Sequence, residues 1–262
     1  MDLHLTGKKA VVTGASKGIG LAITRALAGA GVDVVAGART VTTELSDLAE
    51  RATVRPVAVD LADPDGPSRL VQAAVDAYGG LDILVNNVGA VLPRTGGFLS
   101  VTDDDWLTTL TINFLAAVRT TRAALPHLLD RGTGVVVTVN SVNARLPDPL
   151  VIDYSAAKAA LANFSKSLSK EVGPRGVRVV TVSPGPVSTG LWLGTGGVAA
   201  TVAQAAGATP EAIAQGAARE SVTGRFTQPE EVADLVLLLS SDRAGNITGA
   251  DVVIDGGLIA TL

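Results

Sequence analysis

Thr13-Gly-Ala-Ser-Lys-Gly-Ile-Gly20 lies between a short β-branched run, Lys9–Thr13, and an apolar stretch of helical spacing, Gly18–Ala28. A strand that turns through glycines into a helix has a physical purpose. Gly14 permits the tight turn, Gly18 lets the backbone approach a pyrophosphate, and Gly20 allows the helix to pack close to the strand. The helix N-terminus then offers free amides and the positive end of its dipole to the phosphates. The stretch therefore predicts a dinucleotide site at the start of an α/β fold.

The rest of the chain repeats the same alternation. Strands are expected at Asp33–Ala36, Val54–Val59, Leu81–Asn86, Gly134–Asn140, Val177–Ser183 and Ala250–Ile254. Helices are expected at Thr43–Arg51, Pro64–Tyr78, Thr102–Arg131, Asp153–Val172 and Gln228–Ser240. Thr102 is placed to cap the third of these, with Asp103, Asp104 and Asp105 in its first turn, and Pro126 should bend or interrupt it. Strands separated by helices of this length pair in parallel through right-handed crossovers. The expected fold is a Rossmann-type doubly wound parallel sheet of about seven strands, helices on both faces, in three α/β/α layers. No repeat or linker divides residues 1–262, so one domain is expected. A Gly-, Ala- and Thr-rich segment around 190–227 breaks the rhythm, and reads either as a helical excursion or as a cover over substrate.

Composition agrees with this and narrows the chemistry. Apolar residues make up 47% of the 262 and aromatics only 3%, so the core must come from Val, Leu, Ile and Ala, as in sheets buried on both faces. A net charge of −4 without any basic run argues against nucleic acid. With no cysteine, and His4 and His127 far apart, neither a thiolate centre nor a histidine–cysteine zinc site is expected, and no metal is assigned. The N-terminus has no signal-peptide core and no stretch is apolar enough to span a bilayer, which makes the cytoplasm the expected location and membrane association unexpected.

The choice of dinucleotide depends on the end of the second strand. An acid there would hydrogen-bond the ribose 2′-hydroxyl and repel a 2′-phosphate. Here the only acid, Asp33, stands at the wrong end, while Arg39 follows the carboxyl end and Lys17 lies in the glycine turn. Two cations without a competing acid favour NADP(H) over NAD(H). The alternative for Lys17 and Arg39 is solvated loop charge.

Tyr154 and Lys158 lie four residues apart in Asp153-Tyr-Ser-Ala-Ala-Lys158, hence on one face of a helix. Bringing a phenol from a pKa of about 10 to about 7 requires about 4 kcal/mol. One cation at about 4 Å and an effective dielectric of about 20 supplies an interaction of that size. The pair thus reads as a proton donor and acceptor, with the tyrosine pKa expected to be lowered.

In their order along the chain these features resemble the short-chain dehydrogenase/reductase family. Thr13–Gly20 is similar to the family's cofactor turn, implying contacts from Gly14, Ser16, Lys17, Gly18, Ile19 and Gly20, with Arg39 beside them. Asp60 and Leu61 resemble the adenine contact after the third strand. Asn86-Asn87-Val88-Gly89 resembles the Asn-Asn-Ala-Gly motif, with valine for alanine, and implies cofactor contacts from Asn87 and Gly89. Pro184-Gly185-Pro186-Val187-Ser188-Thr189 resembles the loop that holds the nicotinamide carboxamide, implying roles for Pro184, Gly185, Val187 and Thr189. Asn113, Ser141, Tyr154 and Lys158 stand where the catalytic tetrad stands.

The resemblance implies hydride transfer between NADP(H) and a carbonyl or secondary alcohol. Tyr154 is the general acid/base, Ser141 hydrogen-bonds the reacting oxygen, Lys158 tunes Tyr154 and holds the nicotinamide ribose, and Asn113 fixes a relay water. Asn143 either touches substrate or makes a loop hydrogen bond. Leu146, Leu150, Leu191 and Trp192 suggest an apolar wall, suited to a ketone or 3-oxoacyl-like carbonyl. The resemblance also implies a homo-oligomer, dimer or tetramer, through the central helices and Gly256–Leu262. An NADP(H)-binding regulator on the same fold is the alternative, which the intact tetrad argues against. A serine hydrolase is disfavoured because Ser141 lacks the Gly-x-Ser-x-Gly elbow.

Overall fold

The structure is a computed structural model that describes residues 2–261. Alternation of buried aliphatic residues along each strand builds its layers. In β1 (Lys9–Thr13), Val12 faces one side of the sheet and Val11 the other, and each belongs to a different apolar cluster. The first cluster joins β1 and β2 (Asp33–Ala38) to α1 (Gly18–Gly29) through Ile23 and Leu27, and to α10 (Pro229–Ser240) through Val232, Val236 and Leu239. The second joins the opposite sheet face to α3 (Gly66–Tyr78), α5 (Ala116–Asp130) and α6 (Ile152–Val172) through Leu70, Leu128 and Leu168. Both faces are covered, which is why the strands read as continuous Val/Ile/Leu runs.

Seven parallel strands lie in the order β3-β2-β1-β4-β5-β6-β7, with β3 at Val54–Ala58, β4 at Ile83–Asn86, β5 at Gly134–Val139, β6 at Val177–Pro184 and β7 at Asp251–Ile254. The order reverses between β1 and β4. At such a switch point the loops leaving the carboxyl ends of two neighbouring strands diverge and open a crevice for ligand. The remaining helices are α2 (Thr43–Arg51), α4 (Asp103–Leu110), α7 (Gly190–Leu193), α8 (Val198–Ala206) and α9 (Pro210–Glu220).

The structure corrects the sequence reading in two places. The long helix expected at Thr102–Arg131 does begin at Thr102, whose hydroxyl accepts from Asp105 N while the Asp105 carboxylate accepts from Thr102 N. It is not interrupted at Pro126, which sits inside α5. The departure comes earlier, over Thr111–Leu115, where the helix widens to a π turn and Ala116 N donates to Thr111 O. Proline removes only one donor, and at Pro126 that loss falls near the end of α5, whereas an extra residue in a turn shifts everything after it. Second, β2 runs on to Ala38, so Arg39 follows its carboxyl end directly. The segment 190–227 is helical, built of α7, α8 and α9, and its two ends meet where Val187 bridges Thr227.

Gly20 shows how closely α1 approaches β1. A Cβ there would lie 2.1 Å from the Gly14 carbonyl oxygen and 2.5 Å from Asn87 Nδ2. Exposed Gly29, in the last turn of the same helix, has nothing within 4 Å. In urea denaturation, Gly20→Ala should destabilise the fold by about 3 kcal/mol, since backbone must move. Gly29→Ala should stabilise it by about 0.5 kcal/mol.

Candidate active site

The glycine turn is tied to the loop after β4 by the side chains that flank the switch point. Thr13 Oγ1 accepts from Asn87 N at 2.8 Å and Val88 N at 3.0 Å, and Asn87 Nδ2 donates to Thr13 O at 2.9 Å and Gly14 O at 3.2 Å. Gly14 and Gly18 have φ of 66° and 54°, in the left-handed region where glycine avoids strain. A Cβ at Gly18 would stand 3.2 Å from Thr189 Cγ2, so the turn and the loop after β6 face each other across the crevice. No side chain caps the start of α1, whose N-cap residue is Lys17, leaving its first-turn amides as donors. These features suit a dinucleotide pyrophosphate: a cradle that a side chain would fill, at an uncapped helix N-terminus.

Lys17 and Arg39 are exposed beside this cradle, and among the described residues neither forms an ion pair. Leu61 is buried in the second apolar cluster, and Asp60 accepts from Ala62 N at 2.9 Å, fixing the turn after β3. The loop after β6 is held by Gly185 N donating to Ile254 O and by Thr227 N donating to Pro186 O.

At the carboxyl end of β5 the chemistry-bearing side chains gather. Lys158 is buried, its Nζ donating to Val139 O at 3.1 Å and lying 5.6 Å from the centroid of the Tyr154 ring. Ser141 Oγ donates to Asn143 Oδ1 at 3.1 Å and accepts from Asn143 N at 3.2 Å. Asn143 thus makes hydrogen bonds within its loop, its Nδ2 also donating to Leu146 O at 3.3 Å. Asn113 lies in the π turn, fully buried; its Oδ1 accepts from Ala90 N at 3.0 Å, and its Nδ2 donates to Ala90 O at 2.9 Å and Thr109 O at 3.0 Å. Gly89 joins the groups: a Cβ there would lie 3.0 Å from Asn113 Oδ1 and 3.7 Å from Lys158 Nζ.

The electrostatics differ from the sequence expectation. Burial raises the Tyr154 phenol above its ordinary 10, and the nearby Ser141 hydroxyl opposes this more weakly. Burial also lowers the Lys158 ammonium to about 8. The lowering expected for Tyr154 is therefore not found: loss of water around the phenolate moves it the other way.

Around this centre Leu146 and Leu191 are exposed, Leu150 is half-buried, and Trp192 packs edge-on against Phe226 with centroids 5.2 Å apart. Trp192 is therefore partly engaged in anchoring α7. The sequence reading passed over Thr13 as a side chain, and also Arg94, Thr109 and Asp153, which form an ion-pair network under the start of α6. A charged residue directly before Tyr154 was the available signal. Its partner, 59 positions earlier, carried none.

Among the described residues, no helix is long and apolar enough to cross a membrane. The sequence pattern of the family described as enoyl-(acyl carrier protein) reductase matches residues 14–259. The chain is 35% identical to L-xylulose reductase of Bos taurus, with all of both chains covered. It is 31% identical to 3-oxoacyl-[acyl-carrier-protein] reductase of Thermotoga maritima, over 98% of this chain and 100% of that one. The crystal structure of L-sorbose reductase from Gluconobacter frateurii, complexed with NADPH and L-sorbose, superposes with a TM-score of 0.91 at 34% identity and full coverage of both chains. A parallel sheet with its switch point at a glycine turn, a buried lysine beside a tyrosine, and relatives matched end to end have one common explanation: this chain belongs to the short-chain dehydrogenase/reductase family and is an oxidoreductase that transfers hydride between a nicotinamide dinucleotide and a carbonyl substrate.

Proposed function

We propose that the protein is an NADPH-dependent reductase of ketones, with Tyr154 as proton donor. The observation that carries this reading is the gathering of the Tyr154 ring, the buried Lys158 ammonium and the Ser141 hydroxyl at the carboxyl end of β5. Gly14, Ser16, Lys17, Gly18, Ile19 and Gly20 would hold the pyrophosphate side of the cofactor, and Asp60, Leu61, Asn87 and Gly89 the adenosine. Pro184, Gly185, Val187 and Thr189 would hold its nicotinamide end, with Tyr154 and Lys158 on the adjoining ribose. Lys17 and Arg39 support NADP(H), because both are free to pair with a 2′-phosphate. Once bound, the nicotinamide supplies the hydride.

The protein's own task is to handle one proton and one developing negative charge. Tyr154 is a neutral phenol at physiological pH because burial disfavours its ionised form. That is the form reduction needs: Oη gives its proton to the substrate oxygen as charge builds there. Ser141 Oγ donates to the same oxygen, exchanging its bond to Asn143 for one that is strongest in the transition state. Lys158, as the ammonium, stabilises the phenolate left behind. Both amide hydrogens of Asn113 are already used, so it ties the Ala90 backbone to the π turn. A relay water would have to donate to the remaining lone pair of its Oδ1.

The substrate is a ketone carbonyl, as L-sorbose is in the complex of the similar reductase. A 3-oxoacyl group is the second reading, favoured by the exposed Leu146 and Leu191. The helical segment 190–227, anchored by Trp192, is the cover over that substrate within a single domain. The oligomer would form through α5 and α6 and the C-terminal stretch 256–262, of which Leu262 lies outside the described residues. Light scattering at the mass of one chain would remove the oligomer.

Tyr154→Phe should lower kcat by about 10²–10⁴-fold, with NADPH affinity weakened by no more than about tenfold through loss of one ribose hydrogen bond. Retained turnover would refute the proton-donor assignment, and a regulator would show no turnover in the parent either. A panel of a ketose, a simple ketone and a 3-oxoacyl thioester, each with NADPH and NADH, reads substrate and cofactor together. Arg39→Ala should cut the preference for NADPH by about 10–100-fold, the loss of one charge-assisted hydrogen bond. Reduction should lose kcat/KM as pH rises through about 8, where Lys158 gives up its proton, and be undiminished below. Lys158→Arg should move that decline to higher pH.

A further inference from the structure

Arg94 leaves the loop after β4 and enters the protein between α4 and α6. Its guanidinium donates to Asp153 Oδ2 through Nη2 at 2.5 Å and Nε at 3.1 Å, and to Asp105 Oδ1 through Nη1 at 2.9 Å. Thr109 Oγ1 donates to the same Asp153 oxygen at 2.7 Å. The second Asp153 oxygen, Oδ1, accepts from Tyr154 N at 3.0 Å. Arg94 N also donates to Leu150 O at 2.6 Å, tying the loop to the turn that precedes α6. The side chains of Arg94 and Asp153 are only 10% and 2% exposed.

A buried ion pair rarely stabilises a fold more than apolar residues of the same volume would, because both ions lose their water. Its value lies in direction: a guanidinium fork and a carboxylate admit few geometries. Burial pushes the Asp153 carboxyl up, but Arg94 and Thr109 together hold it below the ordinary range, so it is charged when the protein works. The network touches both proposed working residues. Asp153 bonds the backbone amide of Tyr154, and Thr109, which grips Asp153 with its hydroxyl, receives Asn113 Nδ2 on its carbonyl. The π turn that carries Asn113 starts two residues beyond Thr109.

We propose that Arg94, Asp153 and Thr109 are positioning residues that set the start of α6 against α4 and so fix Tyr154 and Asn113 in one frame. This rests on the assignment of Tyr154 as proton donor. A phenol misplaced by about 1 Å can lose about 10²-fold in rate while ligand binding persists. Loss of the network should therefore appear in kcat and leave affinity alone.

The test is steady-state kinetics with NADPH and the best ketone of the panel, on Asp153→Asn, Thr109→Val, Arg94→Gln and Arg94→Lys. NADPH dissociation constants come from quenching of tryptophan fluorescence. A Tyr78→Phe background labelled with 3-fluorotyrosine leaves Tyr154 as the sole fluorine reporter. Asp153→Asn should lower kcat by about 10–100-fold and Thr109→Val by about 3–10-fold, with KM and the NADPH constant within about twofold. The Tyr154 fluorine resonance should shift in both, and Arg94→Lys should recover part of the kcat lost in Arg94→Gln. A kcat within twofold of the parent in Thr109→Val and Asp153→Asn overturns the proposal, as does a fallen kcat with an unmoved resonance. Should Asp153→Asn fail to fold, Thr109→Val decides by the same two readings. Tyr154→Phe separates the two ideas: if it retains turnover the proton-donor assignment fails, and if it alone is inactive only the positioning role fails.

Discussion

Burying the Lys158 ammonium against the carboxyl end of β5 is the constraint around which the site is built. Nζ reaches Val139 O at 3.1 Å and has almost no water. Holding a lysine at about 8 in place of its ordinary 10.5 corresponds to about 3 kcal/mol against the charged form. The fold must accept that cost at neutral pH, and it does so with a rigid frame: β5 continues into Ser141, and α6 packs along β6. Gly89 leaves the space beside Nζ that any side chain would fill. A lysine so placed is conditional on its surroundings, and its charge counts for more there than at a surface.

The loops at this end of the sheet behave as one unit because they share hydrogen bonds. Thr13 and Asn87 join the β1 and β4 loops, Asn113 joins the β4 loop to the π turn, and Arg94 joins that loop to α6. Thr189 meets Gly18 across the crevice, and Val187 pairs with Thr227 at the base of the helical segment. Each loop alone would be a surface connection with little of its own to hold it. Tied together they hold the glycine turn and the start of α6 in register across the switch point of the sheet.

Most of the architecture was legible because each strand is buried on both sides and each helix carries its own boundary signals. Thr102 with Asp105 marks a helix start from four residues alone. The π turn was not legible: Thr111–Leu115 has no composition that sets it apart from an α-helix, and Ala90, which Asn113 bonds from within it, lies beyond any local pattern. Pro126 misled for a related reason, since the cost of a proline depends on which carbonyl it deprives and not on its presence. The Arg94–Asp153 pair spans 59 positions, beyond any local pattern. The tyrosine went wrong in direction: a sequence shows that a cation is near but not that burial raises the phenol.

That last difference changes how the proton is handled. A phenol lowered to neutrality would be half ionised at rest, and half the molecules would hold the wrong form for reduction. In the proposed role, a Tyr154 raised by burial would keep its proton until a stronger base forms beside it on the substrate oxygen. The phenolate then left behind is costly alone, and the Lys158 ammonium is costly alone. Together they are a neutral pair in a medium of low dielectric, where their attraction is greatest. Burial thus opposes each charge singly, and their attraction offsets part of that cost when both are present. In that reading the proton would stay in the resting site and leave when the reaction creates its acceptor.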